Sequence, residues 1–259
     1  MSLKYLVVGR CGSGKDTLVD RLCSKHGYTR VVSHTTRPIR KEDEDTHIFV
    51  TPKEAEQIED KIAVTSFAGY DYFTTPGEIE KHDFYIVDPP GVYDIANAMP
   101  DTVFHIIFVT ADEELRKQAF FAREDNKDAE EEWNRRIDMT KEMFDEFERT
   151  LTNSETKNWP PNLTAYMTYV NDFTGEHLEE TVDVIASQIR KYKNMKRVVE
   201  TLIEKEKLVS DENGNPLVSY EDTNATSVPV SIFTDMALHN DKYFIAVMLA
   251  YLDITHIIP

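Results

Sequence analysis

The sequence is poor in cysteine and in basic residues, and it contains no long apolar run. Its two cysteines, Cys11 and Cys23, cannot form a disulfide framework, which favours a reducing, cytoplasmic location. Lysine and arginine number 29 against 47 acidic residues, and the net charge of −18 argues against nucleic acid or an anionic membrane as a partner. No apolar stretch is long enough to span a bilayer, and the start of the chain leaves no room for a signal peptide. Any bound anion must therefore be held by locally placed lysine and arginine side chains.

What the chain does contain, close to its start, is a glycine-rich loop. Residues 9–15 read G-R-C-G-S-G-K, after an apolar run typical of a strand and before apolar residues at helical spacing. Such glycines let successive backbone N–H groups converge on one point, where the positive end of the next helix also favours an anion. The pattern G-x-x-x-x-G-K predicts a P-loop, in which the positive charge of Lys15 would contact the terminal phosphates of the bound nucleotide. The predicted ATP-binding residues are Gly9, Gly12, Ser13, Gly14, Lys15, Asp16 and Thr17.

The residue after the loop lysine departs from the usual P-loop pattern, in which a serine or threonine hydroxyl contacts Mg²⁺. Here that residue is Asp16, and Thr17 follows it. Thr17 could take that role, or Asp16 could hold the ion through water, because a carboxylate suits a hard cation. Both residues are candidates for a magnesium site formed together with ATP.

Strand-like apolar runs alternate with helical patterns along residues 1–205, which predicts an α/β fold with a mostly parallel sheet covered by helices. Residues 31–32 are predicted as a short strand, and residues 69–75 as an aromatic, hydroxyl-rich loop. A boundary is predicted near residue 205. Beyond it, residues 208–233 carry hairpin signals and residues 234–252 read as an apolar helix.

Further motifs follow the loop in a set order. Residues 33–40 read S-H-T-T-R-P-I-R, residues 67–72 read F-A-G-Y-D-Y, residues 88–92 read D-P-P-G-V, and residues 170–172 read V-N-D. Arginines stand at positions 116, 123, 135 and 136. In order and spacing, these motifs and the P-loop resemble the guanylate kinase family over roughly residues 3–192.

The resemblance implies a P-loop kinase fold with a core (1–32 and 84–205), a small mixed acceptor-binding insertion (33–83), a lid (about 123–136) and a C-terminal appendage (206–259). It implies phosphoryl transfer from ATP, with Mg²⁺, to a nucleoside monophosphate such as GMP or dGMP. The implied acceptor-binding residues are Ser33, Arg37, Arg40, His47 and Tyr72 at the phosphate, and Thr74 and Asp88 at the base. The implied catalytic residues are Lys15, Arg37, Arg123, Arg135 and Arg136, since arginine forks suit phosphate oxygens.

Three positions depart from the family pattern. His47 stands where a tyrosine helps to grip the acceptor phosphate, Ile86 replaces an acidic residue, and Ala63 replaces a glutamate that reads the guanine edge. Ala63 can accept no hydrogen bond, so the preference for guanine is expected to be relaxed unless Thr65 or Ser66 substitutes.

Simpler roles are open for some of these residues. Asp88 could cap the next helix, and one of Arg135 and Arg136 could be a plain surface charge. The chain could also be a kinase for another deoxynucleotide or a sugar phosphate, or a non-catalytic binding module, although the intact glycines and Lys15 weigh against the module. The apolar segment 234–252 is expected to pack within the appendage or to pair with another subunit, as in a homo-oligomer.

Overall fold

A computed structural model describes residues 2–39, 42, 44–122, 129–152, 159–204, 208–210, 216–218 and 228–229. Its strands are β1 (Ser2–Val8), β2 (His34–Thr35), β3 (Ile48–Phe49), β4 (Ile62–Phe67), β5 (Tyr70–Thr74), β6 (Phe84–Ile86), β7 (Thr102–Thr110), β8 (Leu163–Val170), β9 (Leu208–Ser210), β10 (Pro216–Val218) and β11 (Val228–Pro229). Its helices are α1 (Lys15–His26), α2 (Pro52–Glu56), α3 (Pro76–Lys81), α4 (Pro89–Ala98), α5 (Glu113–Phe121), α6 (Ala129–Thr152) and α7 (Gly175–Glu204).

The central sheet has the strand order β6-β1-β7-β8, and its neighbouring strands run parallel. β1 ends in an apolar run, and its Leu6, Val7 and Val8 are completely buried, as expected for a parallel sheet covered on both faces. The predicted mostly parallel sheet is thus confirmed. The strand predicted over 31–32 is wrong, because pairing there is reduced to one parallel bridge between Arg30 and Phe84.

The carboxyl ends of the central strands carry the motifs found in the sequence. The glycine-rich loop follows β1, Asp88 comes two residues after β6, and Asn171 follows β8 directly. In open α/β sheets, ligands bind in the crevice outside these carboxyl ends. The strand order therefore gathers motifs that are far apart in the sequence.

The sequence predicts an amphipathic helix over residues 15–26 that ends near Gly27, and helix α1 covers these residues. Gly14 (φ 88°) precedes its first turn, and Gly27 (φ 72°) ends it by donating its N–H to the Cys23 carbonyl. Glycine adopts such positive φ angles with little strain. Leu18 and Leu22 lie on the buried face of this helix, so their spacing correctly indicated the face that packs on the sheet.

The insertion contains a second, mixed sheet with the order β3-β2-β5-β4. The loop predicted over 69–75 is wrong, since Tyr70–Thr74 forms strand β5. Phe67 pairs with Tyr70 across the two residues Ala68 (φ 53°) and Gly69 (φ 81°), which form a tight hairpin connection. Alanine is an unusual first residue for a turn of this kind, so the hairpin signal was weak.

One apolar cluster joins the central sheet to α4 and α6. Phe104 and Ile106 of β7 pack with Ile95 of α4 and Phe147 of α6, and all four are at least 99% buried. Full burial of such a side chain contributes about 1.5–3 kcal/mol. This packing fixes α4, and with it the position of Asp88 at its start.

The chain divides into two compact units, residues 1–182 and 183–259. In the second unit, β9 and β10 form the antiparallel hairpin that the sequence predicts, with β11 as a third strand. The helix predicted over 234–252 lies outside the described residues, and the boundary near 205 stays a prediction. Within the described part of the chain, no helix combines the length and the apolar character needed to cross a membrane.

Candidate functional site

Each glycine of the P-loop faces backbone or side-chain atoms from a distant segment. A Cβ at Gly9 would overlap the carbonyl oxygen of Val109, and a Cβ at Gly12 (φ 77°) would lie 2.5 Å from the Arg116 carbonyl oxygen. A Cβ at Gly14 would overlap the amide of Asn171. The glycines therefore let the loop turn and also let it lie close to neighbouring segments. These segments are the end of β7, α5 and the residue after β8.

Asn171 ties the loop to the end of β8. Its Nδ2 donates to the Ser13 carbonyl oxygen at 2.9 Å, while its Oδ1 accepts from the Tyr169 hydroxyl and the Phe173 N–H. The side chain is buried and these bonds fix its orientation. Asn171 was not among the predicted site residues, although the V-N-D pattern was the signal that could have shown it.

Arg116 holds the other side of the loop and was also not predicted as a site residue. Its Nη1 donates to the Cys11 carbonyl oxygen at 3.2 Å, and its guanidinium lies over the Trp133 ring at 5.6 Å. Burial lowers the pKa of this guanidinium despite the nearby Glu113 carboxylate. An arginine keeps its charge under such conditions. Arg116 thus adds a fixed positive charge beside the loop.

Lys15, Asp16 and Thr17 form the first turn of α1. The Nζ of Lys15 lies 3.8 Å from Oδ2 of Asp16, whose side chain is half exposed. Carboxylate and hydroxyl oxygens are the ligands that Mg²⁺ prefers, usually one or two from the protein together with substrate phosphates. The residues present fit such an ion, and the described residues hold no separate cluster of three or more metal-ligating side chains.

Three predicted acceptor residues lie together in the insertion. Ser33 Oγ is 3.1 Å from His47 Nδ1, and the His47 and Tyr72 rings meet edge to face at 5.4 Å. Burial, and then the charge of Arg37, lowers the pKa of His47, whereas the Glu44 and Asp16 carboxylates act to raise it. Ser33, His47 and Tyr72 together form the acceptor cluster of the insertion.

Arg37 belongs to the same cluster, but its fork holds a carboxylate. Its Nη2 donates to Oε1 of Glu44 at 2.6 Å and its Nη1 to Oε2 at 3.3 Å, with both side chains mostly buried. The hydrogen bond with Glu44 raises the pKa of Arg37, whose guanidinium also lies 5.2 Å from the Phe49 ring centroid. Arg40, the other predicted phosphate ligand, lies outside the described residues.

Asp88 has the capping role that the sequence left open. Its Oδ1 accepts from the Gly91 N–H at 2.9 Å at the start of α4, and its Oδ2 accepts from the Thr65 hydroxyl at 2.6 Å. Thr74 is completely buried, and its hydroxyl has no hydrogen-bond partner among the residues that the structure describes. An unpartnered buried hydroxyl is costly, which makes Thr74 a candidate ligand contact.

Arg135 and Arg136 both pack on Phe67 of the insertion. Their guanidinium carbons lie 4.6 and 5.3 Å from the ring centroid, and both side chains donate to Glu132 one turn earlier. Burial lowers the pKa of Arg136, but hydrogen bonds to Glu132 and the nearby Cys11 outweigh it and raise the pKa overall. Neither arginine is thus a plain surface charge. Arg123 lies outside the described residues.

Comparison with known proteins gives several matches. A sequence model described as guanylate kinase matches residues 1–169. The guanylate kinase of Neisseria gonorrhoeae (strain ATCC 700825 / FA 1090) is 34% identical over 113 residues, and that of Neisseria meningitidis serogroup A / serotype 4A (strain DSM 15465 / Z2491) is 33% identical over 113 residues. Each match covers 38% of this chain and 54% of the relative, so the chain spans about half the length of these relatives.

Among solved structures, the guanylate kinase of Anaplasma phagocytophilum is similar with a TM-score of 0.44 and 18% identity, over 73% of this chain and 85% of that one. An uncharacterised protein from Eubacterium ventriosum ATCC 27560 has a TM-score of 0.33 and 14% identity, over 72% and 98%. The sequence model covers well over half of the 259 residues and includes the P-loop and the acceptor cluster. The chain therefore belongs to the guanylate kinase family.

Proposed function

We propose that this chain transfers the terminal phosphoryl group of ATP to GMP or dGMP, giving ADP and the nucleoside diphosphate. The observation that carries the proposal is that the chain holds two candidate anion sites, a P-loop directly after β1 and the acceptor cluster of Ser33, His47 and Tyr72 in the insertion. Two such sites suit a reaction that aligns two phosphate-bearing substrates.

The chemistry requires alignment and charge neutralisation more than covalent help. In this proposal the P-loop N–H groups and Lys15 bind the ATP phosphates, while Ser33, Arg37, Arg40, His47 and Tyr72 bind the acceptor phosphate. Arg123, Arg135 and Arg136 neutralise charge on the transferring group, and Thr74 and Asp88 contact the base. When bound, Mg²⁺ beside Asp16 or Thr17 would neutralise phosphate charge.

The scarcity of cysteine supports a cytoplasmic location.

A coupled ADP-release assay tests the proposal. Every nucleoside and deoxynucleoside monophosphate, and a set of ribose phosphates, is offered with ATP and Mg²⁺. Lys15→Met should lower kcat/KM by at least about a hundredfold, because a preorganised charge at the transferring group is lost. Lys81→Met is the matched control, since Lys81 is exposed and bonds to Glu78.

Calorimetry with ATP and Mg²⁺ separates the outcomes that would contradict the proposal. A folded protein that binds ATP but turns over no acceptor is not a nucleotide kinase. A folded protein that gives no heat with ATP is a binding module. Turnover of a ribose phosphate alone would move the reaction to a sugar phosphate.

A further inference from the structure

The two neighbouring hydroxyls on β4 make different contacts. Thr65 donates to Asp88 Oδ2 at 2.6 Å, whereas Ser66 donates to Asp71 Oδ1 at 2.6 Å across the β4–β5 hairpin. Successive side chains of a strand point to opposite faces of its sheet. Of the two residues that could compensate for Ala63, only Thr65 therefore bonds to Asp88, the acid at the end of β6.

Ala63 itself lies in the apolar cluster. It is 4% exposed and belongs to the apolar cluster that includes α4. Its Cβ would lie 3.0 Å from a Cβ added at Gly91. Its φ of 51° coincides with the register shift between Ile62 and Thr65. A β-bulge of this kind re-aims the side chains that follow it. A carboxylate at position 63 would have to be buried among apolar groups, which is costly.

The hydrogen bonds around Asp88 determine what Thr65 can offer to a ligand. Asp88 accepts from the Gly91 N–H and from the Thr65 hydroxyl, and a carboxylate has lone pairs for further donors. Thr65 has given its one proton to Asp88, so its oxygen can act only as an acceptor. The Thr65–Asp88 pair thus presents acceptors to an incoming base, with one full negative charge.

We propose that Thr65, together with Asp88, selects acceptor bases that carry a ring N–H donor, and so takes the place of the missing glutamate. The inference rests on the proposed function. Guanine and hypoxanthine carry N1–H, whereas adenine has a bare N1 acceptor that would face the acceptors of the pair. The single hydroxyl oxygen of Thr65 accepts a hydrogen bond from N1–H. Unlike a carboxylate, it does not at the same time accept one from the exocyclic amine. GMP and IMP are therefore preferred over AMP.

The experiment compares kcat/KM for GMP, IMP and AMP. Thr65→Val keeps the shape and removes the hydroxyl, and it should lower the ratio of GMP to AMP by about tenfold to a hundredfold, as for one lost hydrogen bond in a site that excludes water. Thr65→Ser should restore the ratio. Ser66→Ala is the matched control, because it removes the neighbouring hydroxyl that bonds to Asp71. Thr65→Ala replaces Thr65→Val if the valine variant does not fold.

The outcomes separate this inference from the proposed function. A folded Thr65→Val or Thr65→Ala protein with an unchanged GMP to AMP ratio overturns the role of Thr65, while phosphoryl transfer stands. An equal loss with Ser66→Ala overturns it too. If the unaltered protein turns over no acceptor, the proposed function fails, and calorimetry with GMP and AMP then tests Thr65. Equal affinities for GMP and AMP in the unaltered protein overturn the inference in that case.

Discussion

At the scale of single residues, the contact between Arg37 and Glu44 bears most directly on substrate binding. The carboxylate occupies the fork of an arginine that we assign to the acceptor phosphate, and Thr46 donates a further hydrogen bond to the same carboxylate. A carboxylate and a phosphate suit the same bidentate geometry. Glu44 therefore competes with the acceptor phosphate for Arg37.

Replacing Glu44 by glutamine should lower the KM for the acceptor nucleotide. The amide keeps the size of the side chain but removes a negative charge beside the phosphate. We expect KM to fall by about threefold to tenfold, which corresponds to about 1 kcal/mol. Steady-state kinetics with saturating ATP measures this change.

Glu42→Gln is the matched control, because Glu42 is exposed and belongs to the same acidic stretch. It changes the net charge equally and should leave KM within about twofold, as long-range charge is screened by salt. A higher KM in Glu44→Gln alone would show that Glu44 holds Arg37 in its binding position.

At the scale of elements, the start of α6 touches the tip of the insertion through Phe67. Arg135 and Arg136 reach that ring from one side of the helix, and Glu132 holds both guanidinium groups in place. A cation over an aromatic ring contributes about 0.5–1 kcal/mol at an exposed site. This contact connects the two segments that we expect to close on the substrates.

Phe67→Leu should weaken the closure of α6 over the nucleotides. When a bisubstrate analogue binds, hydrogen exchange should slow in residues 33–83 and 129–136, because closure excludes water and orders these segments. In Phe67→Leu we expect the slowing at residues 129–136 to be largely lost. Exchange followed by mass spectrometry of peptides measures the difference.

Phe121→Leu provides a matched control, since Lys117 lies over the Phe121 ring on α5. It removes a similar ring and should keep the slowing at residues 129–136. If the analogue does not slow hydrogen exchange in the wild-type protein, neither segment closes over the substrates.

At the scale of the whole molecule, the open question is the second unit and its apolar tail. Deleting residues 206–259 should expose apolar surface or change the oligomeric state, because the segment 234–252 is too apolar to lie free in water. Light scattering gives the mass, and binding of a hydrophobic dye reports exposed apolar surface. A truncated protein with the same number of subunits, equal stability and no added dye binding would show that the tail is dispensable.

Features that depend on local chemistry can be predicted from the sequence. The glycine spacing and the apolar run before it predicted the P-loop, and Gly27 marked the end of α1. The sequence also predicts a helix start with Thr51 as N-cap and Glu54 at the third helical position, and these residues form a capping box at α2, because a cap needs only residues within one turn. The alternation of strands and helices predicted the central sheet for the same reason.

The packing of the elements brings together the distant residues that complete the site. Asn171 and Arg116 bond to P-loop residues that are 158 and 105 positions away in the sequence, and these contacts form only when β8 and α5 pack beside the loop. The choice of Thr65 over Ser66 depends on the bulge in β4 and on the place of Asp88 at the end of β6. A sequence shows which groups are available, whereas the packing of elements determines which of them meet.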